Sequence, residues 1–193
     1  MYKKVKDMNF REYNQKFMLV KNTGNFLKDT DIVEPFWAYM YIDNKLGTIM
    51  VILGNEENGE KYIHEEFLLN ALYERIKDFQ VKIIDDTKYQ YANLVRSIYE
   101  ECSLVKKSVL YTRNMKKLDK FRADYNPDVV SCFIKSASGK CTNVWAKIKG
   151  YIEESDVFIV GPLSNEPISV YVKHIIYNNT EMLVMFKPDN IQE

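Results

Sequence analysis

The chain has few of the residues from which metal and redox sites are built. Only two of its 193 residues are histidine and three are cysteine. Cys102, Cys132 and Cys141 lack the Cys-x-x-Cys spacing of a zinc or dithiol site. His64 begins a His-Glu-Glu run, but Leu68 stands where an HExxH zinc motif requires its second histidine. We therefore expect no bound metal, and we expect the cysteines to be buried thiols, as in proteins of a reducing compartment.

Glycine and proline are also scarce, at seven and five residues, and the phosphate-binding motifs that depend on glycine are absent. The sequence contains no P-loop, no Gly-x-Gly-x-x-Gly turn and no Gly-x-Ser-x-Gly nucleophile motif. Adjacent carboxylates such as Asp85 and Asp86 point apart on a strand, which makes them a poor acid–base pair. The sequence thus predicts a protein that acts by binding, without catalytic residues or a cofactor. An enzyme with an unrecognised site is the alternative.

Long apolar runs and an excess of charge of either sign are missing as well. No run approaches the roughly 18 apolar residues of a membrane-spanning helix, and the charged N-terminal segment is unlike a signal peptide. The 27 basic and 27 acidic side chains cancel, so the chain as a whole has no general attraction for nucleic acid or anionic lipid. We expect a cytoplasmic protein that does not contact membranes.

The first 112 residues alternate between patterns typical of strands and patterns typical of helices. Two β-rich runs are separated by a short polar connection that ends in Gly47, as in a hairpin. Apolar residues at helical spacing follow twice, with a short β-rich run between them. The predicted elements are strands at 36–42 and 48–53, a helix at 63–79, a strand at 81–84, a helix at 89–102 and a strand at 108–112. This order predicts an N-terminal α+β sandwich.

The pattern changes after residue 112. Residues 113–127 have little apolar periodicity and are rich in basic side chains, which predicts a basic linker. Five segments typical of strands follow, at 130–135, 144–152, 157–160, 170–176 and 182–186. Short strands at nearly even spacing predict a small, strongly bent sheet or barrel. We therefore expect an α+β unit over 1–112, a linker over 113–127 and a small β unit over 128–193.

The second of these C-terminal strands carries the best candidate for a partner surface. Val144, Ala146 and Ile148 alternate along it with a set of aromatic and basic residues. Aromatic anchors beside cations are common in protein interfaces, and the loop after the next strand adds two polar residues. The predicted partner-binding residues are Trp145, Lys147, Lys149, Tyr151, Asn165 and Glu166. The alternative is that this face packs inside the fold and that the loop is only a sheet corner.

A second candidate surface lies in residues 102–122, which hold seven basic side chains and one acidic one. The candidate anion-binding residues are Lys106, Lys107, Arg113, Lys116, Lys117, Lys120 and Arg122. Tyr111 and Phe121 lie among them, and basic side chains with aromatic rings can hold phosphates and stack on bases. Nucleic acid is therefore an alternative partner. A solvated linker or a contact with an acidic protein would explain the same charges.

Three ordered motifs in the C-terminal part carry a family resemblance. They are the strand Phe133-Ile134-Lys135, the strand Val144-Trp145-Ala146-Lys147-Ile148, and the loop with Gly161, Leu163, Asn165 and Pro167. Over about residues 121–191 the chain resembles the YegJ-like group of small uncharacterised bacterial domains. Related domains of that group occur as immunity proteins in polymorphic toxin systems. The resemblance implies a toxin-neutralising or defence-inhibiting protein that acts by protein–protein contact.

Overall fold

The computed structural model describes residues 1–30, 32–57, 60–61, 69–85, 92–135, 141–155, 157–162, 175–177, 180–182 and 184–186. The chain divides into two compact units, Met1–Leu104 and Val105–Glu193. Helices and strands are both present, and the chain has the α+β class that the sequence predicts. The division falls before residue 112, the expected end of the first unit, because a helix near residue 110 packs within the second unit.

The first unit is built on a six-stranded antiparallel sheet that curls strongly into a half-barrel. In chain order the strands of this unit are β1 (Lys3–Lys4), β2 (Lys16–Lys21), β3 (Phe36–Asp43), β4 (Gly47–Gly54), β5 (Glu56–Glu57), β6 (Glu60–Lys61), β7 (Leu69–Leu72) and β8 (Gln80–Ile83). The order across the sheet is β1-β8-β2-β3-β4-β7, and β5 pairs only with β6. The described helices are α1 (Phe10–Tyr13), α2 (Tyr73–Ile76) and α3 (Ala92–Ser103), with a 3-10 turn at Val5–Asp7.

Both faces of this sheet are buried at its central strands β3 and β4. Every residue of β3 and β4 is buried, which is why the hairpin has an almost continuous apolar sequence instead of an alternating one. One face packs methionine and aliphatic side chains such as Met18, Met40 and Ile52. The other face carries aromatic rings that include Tyr39 and Tyr41. A sheet covered on both sides gives this unit its own hydrophobic core.

Helix α3 covers the aromatic face of the sheet through Ala92, Val95 and Tyr99. The predicted helix at 89–102 is thus present from residue 92, but its apolar residues are divided between two sides. Ile98 is 46% exposed, and Cys102 is a free, exposed cysteine. The expectation of buried thiols is therefore wrong at Cys102. The helix has more apolar residues than fit on one face. Those that pack on the sheet, Ala92, Val95 and Tyr99, have the spacing i, i+3 and i+7.

The helix predicted at 63–79 is wrong at residues 69–72, whereas residues 73–76 are helical. Residues 69–72 form β7, which pairs with β4, and α2 adds only a single helical turn. Ala71 and Tyr73 are buried whereas Leu72 is 48% exposed, as expected for a strand edge. A dense run of apolar residues satisfies the helical and the strand period together, and pairing with β4 decides between them. Residues 62–68 lie outside the described residues.

The second unit is built on a seven-stranded sheet. In chain order its strands are β9 (Arg122–Ala123), β10 (Asn126–Lys135), β11 (Cys141–Ile152), β12 (Val157–Pro162), β13 (Ile175–Tyr177), β14 (Thr180–Met182) and β15 (Val184–Phe186). The order is β14-β13-β10-β11-β12-β15, with β9 beside β10. Only the pair of β12 with β15 is parallel among the described strands of this sheet. Helix α4 (Lys107–Arg113) and a 3-10 segment (Lys116–Phe121) precede the sheet, and a 3-10 turn (Glu153–Ser155) follows β11.

The predicted strand at 108–112 is wrong, because these residues form the body of α4. Val109, Thr112 and Arg113 are buried, a helical spacing, and the Thr112 hydroxyl donates to the carbonyl of Val109 at 2.7 Å. A run this short cannot be assigned from periodicity alone. Its β-branched residues, Val109 and Thr112, favour the prediction of a strand. Contact with β11 and β10 makes the segment a helix on the sheet.

The expected linker at 113–127 is also incorrect. Leu118 and Phe121, from the 3-10 segment, are buried in one cluster with Val109 of α4 and with Val130 and Ile148 of the sheet. Burial of large apolar side chains of this kind contributes about 1.5–3 kcal/mol each. The segment is therefore part of the hydrophobic core of the second unit.

A buried ion pair fixes α4 to the sheet. The guanidinium of Arg113 donates twice to the carboxylate of Asp128, from Nε at 2.9 Å and from Nη2 at 2.7 Å. The two side chains are 6% and 1% exposed. Arg122 lies beside them and donates to the carbonyl oxygens of Thr112 and Pro127 and, at 3.2 Å, to Asp119. These bonds join the end of α4, the 3-10 segment and the start of β10.

We expect a fragment of residues 105–193 to fold, and a fragment of residues 121–193 not to fold. The shorter fragment lacks Val109 and Leu118 from the core, and it leaves Asp128 buried without Arg113. Circular dichroism and thermal melts of the two fragments provide the measurement. A cooperative melt of the shorter fragment at the same temperature as the longer one would show that α4 is dispensable.

Asp128→Asn should destabilise the chain by about 3–5 kcal/mol, because it leaves the charge of Arg113 buried without its counter-charge. The double variant Arg113→Met/Asp128→Leu removes both charges and should cost much less. Urea unfolding of both variants checks this expectation. Equal losses in the single and double variants would mean that packing, and not charge pairing, governs this position.

Candidate binding surfaces of the second unit

Trp145 lies at the middle of the longest strand pair in the second unit. Strands β10 and β11 pair from Val129–Lys147 to Lys135–Cys141 without a register shift, and Ser131 lies directly opposite Trp145. The neighbours of Trp145 along the strand, Val144 and Ala146, point to the core. The tryptophan therefore points to the other face, as the sequence predicts, and it is 49% exposed.

A β-bulge changes the alternation of β11 after Ile148. Ile148 pairs with Val160 and Gly150 pairs with Ile159, which leaves Lys149 as the extra residue. An extra residue in one strand reverses which side chains face the core beyond it. Tyr151 therefore lies opposite Phe158, on the core side, and not beside Trp145. The prediction that Tyr151 shares a face with Trp145 is wrong for this reason.

The signal for the bulge was present in the sequence as Gly150, since a glycine inside a strand often marks a bulge or a close backbone approach. A Cβ placed on Gly150 would lie 3.4 Å from Cδ1 of Ile159 and 3.6 Å from Oγ of Ser108. The first turn of α4 thus lies close over the strand at the bulge. A prediction that assumes strict alternation along β11 does not include this close approach.

Several polar side chains lie near Trp145 on the outer side of β10 and β11. Lys149 is exposed, Lys147 is half-buried, and the hydroxyl of Ser131 and the side-chain oxygen of Asn143 lie 2.7 Å apart. We call Trp145, Lys147 and Lys149, with Ser131 and Asn143, the Trp145 surface. It combines a large aromatic side chain with polar groups, as an interface anchor and its rim do. Asn165 and Glu166 lie outside the described residues.

The seven predicted anion-binding residues separate into two groups. Arg113 and Arg122 are buried and bonded to Asp128, Asp119 and backbone carbonyls, which removes them from the predicted surface. The planar guanidinium groups, each with several donors, suit hydrogen bonds to carboxylates and carbonyls inside the fold. The other members are exposed, and they are Lys106, Lys107, Lys116, Lys117 and Lys120.

An aromatic stack lies beside these lysines. The ring of Tyr111 is nearly parallel to that of Tyr151, with centroids 5.6 Å apart and planes at 18°, and Tyr151 in turn contacts Phe158 at 4.8 Å. The Tyr111 hydroxyl donates to Glu153 at 3.2 Å, and this hydrogen bond to a carboxylate raises the pKa of the phenol above its ordinary value. Tyr111 is 47% exposed, and Lys117 Nζ lies 5.7 Å from the centroid of Phe158.

The described part of the chain contains no candidate metal site. No group of three or more His, Cys, Asp or Glu side chains there could hold a metal ion. His64, Glu65 and Glu66 lie outside the described residues.

In the first unit, burial raises the pKa of Tyr39 and Tyr41, and that of Tyr99 to about 12, so these phenols stay neutral in the core. None of the described helices is long and apolar enough to cross a membrane.

Comparisons with known proteins give no family for this chain. No family model, no curated protein and no solved structure matches it.

The two tryptophans of the chain should differ strongly in access to solvent, because Trp145 is half-exposed whereas Trp37 is 6% exposed in the core of the first unit. The variants Trp37→Phe and Trp145→Phe each leave one fluorophore. Iodide should quench the first variant several-fold more efficiently than the second. Equal quenching, or a shielded Trp145, would contradict the exposed position of this side chain.

Proposed function

We propose that this chain is a non-enzymatic binding protein that acts by protein–protein contact through the Trp145 surface. The observation that carries the proposal is a tryptophan 49% exposed on a strand pair of unbroken register. Tryptophan is among the side chains most enriched in interface hot spots, because it buries a large area with few rotatable bonds.

The neighbouring groups support a protein partner. Lys147 and Lys149 add positive charge beside the ring, and Ser131 and Asn143 add hydroxyl and amide groups. Such polar groups form the rim that orients a partner around a central anchor. A strand pair with an unbroken register holds these side chains in fixed positions, which lowers the entropy lost on binding.

For the class of partner, the support is the resemblance of the C-terminal motifs to domains related to immunity proteins. We propose a toxin-neutralising or defence-inhibiting protein, and Trp145 belongs to one of the motifs that carry the resemblance. Such an inhibitor needs no catalytic group, only a surface that covers the site of its target.

Co-expression tests this function directly. A toxic protein encoded by a gene that flanks the gene for this chain should stop growth when expressed alone, and co-expression with this chain should restore growth. The two purified proteins should then form a complex. If no flanking gene product is toxic or binds, the proposed class of partner is wrong.

Trp145→Ala should weaken that complex by about 2 kcal/mol or more while lowering the unfolding free energy by less than about 1 kcal/mol. Tyr125→Ala, which removes another exposed ring of the same unit, is the matched control and should leave binding unchanged. Calorimetric titration and thermal melts measure the two effects. A loss of stability near the roughly 3–5 kcal/mol of a buried large aromatic would make Trp145 a packing residue.

A further inference from the structure

We propose that Tyr111 and the five exposed lysines near it bind single-stranded nucleic acid. We call this set the Tyr111 surface: Tyr111, Lys106, Lys107, Lys116, Lys117 and Lys120. Tyr151, on which Tyr111 stacks, lies on the core side of β11, opposite to the side that carries Trp145. The ligand and the surface both differ from those of the proposed function.

The charge of this segment is strongly one-sided at its surface. Asp119 is the only acidic residue in positions 105–122, and it accepts a hydrogen bond from Arg122. Arg113 is neutralised inside the fold by Asp128. Five exposed lysines lie within this short stretch of chain. Clustered exposed cations of this kind attract the phosphates of a nucleic acid, releasing its counterions.

Tyr111 adds an exposed aromatic ring to this basic surface, which the binding of phosphates alone would not need. One side of the ring lies against Tyr151, yet 47% of the residue stays exposed. Part of Tyr111 is thus accessible to a ligand. A base stacked on its ring would extend the existing aromatic contacts from Phe158 through Tyr151 to Tyr111. The hydrogen bond to Glu153 holds the ring in place before any ligand arrives.

Lysines lie on both sides of this stack. Lys107 precedes Tyr111 by one helical turn, so the two side chains lie on the same face of α4. At the other end, the ammonium of Lys117 lies near the ring of Phe158. Cations near both ends of this aromatic cluster suit a strand whose base stacks while its flanking phosphates meet the lysines. An acidic protein or an anionic membrane would use the lysines but would have no need of the exposed ring.

Fluorescence anisotropy with a labelled 15-nucleotide oligo-dT and the full chain provides the test. We expect binding that weakens with salt, with a slope of log K against log salt no steeper than about −3.5 for five phosphate contacts. Tyr111→Leu should lower the affinity about 5- to 100-fold, the effect of losing one stacked base. Tyr111→Phe keeps the ring and should retain binding. Circular dichroism verifies that each variant is folded.

The triple variant Lys106→Gln/Lys107→Gln/Lys116→Gln should make the slope of log K against log salt shallower by about 2. The matched control, Lys28→Gln/Lys45→Gln/Lys82→Gln, removes three exposed lysines of the first unit and should leave binding unchanged. Trp145→Ala should also leave it unchanged, which separates this test from that of the protein partner. Absence of salt-dependent binding overturns the proposal. Equal binding of duplex DNA, heparin or phosphatidylserine vesicles, or an undiminished affinity of folded Tyr111→Leu, overturns it as well.

Discussion

The second unit depends on one buried contact, the double hydrogen bond between Arg113 and Asp128. A charge inside a protein is costly unless it is paired, and a helix that carries one end of such a pair has little freedom to move from the strand that carries the other. The contact therefore determines where the end of α4 lies on the sheet. Arg122 extends it by bonding the backbone carbonyls of Thr112 and Pro127. Because α4 is fixed in this way, Tyr111 has a defined position over Tyr151.

The same contact explains how a basic segment divides its charges. Arginine carries a planar group with several donors, which suits paired, buried positions, whereas lysine is a flexible and strongly hydrated point charge. In residues 105–122 both arginines are buried and every lysine is exposed. A run that looks uniformly basic in the sequence thus contains two structural cations and five surface cations. Only the latter can meet a ligand without unfolding the segment.

The sequence predicts an element correctly where its apolar residues fit either the helical or the strand period alone. The prediction is wrong where the apolar residues fit both periods. The hairpin of β3 and β4, helix α3 and strands β10 to β12 were predicted near their observed positions. Residues 69–72 and 108–112 were assigned to the wrong class, because short apolar runs suit a helix and a strand equally and distant partners decide. Trp145 was placed on the correct face, whereas the bulge at Lys149 moved Tyr151. The buried ion pair joins residues of two elements and leaves no periodic signal.

The bulge allows a single strand to serve two surfaces. Before it, β11 presents Trp145 on the outer face of the sheet, and after it Tyr151 turns to the core side and supports the ring of Tyr111. With strict alternation, Tyr151 would stand beside Lys149, and Tyr111 would lose the ring on which it stacks. The outer face would then carry a second aromatic side chain from β11, which would enlarge its apolar patch. Lys149, as the extra residue, instead separates an aromatic anchor on one side from an aromatic stack on the other. The position of that one residue therefore sets the geometry of both candidate surfaces.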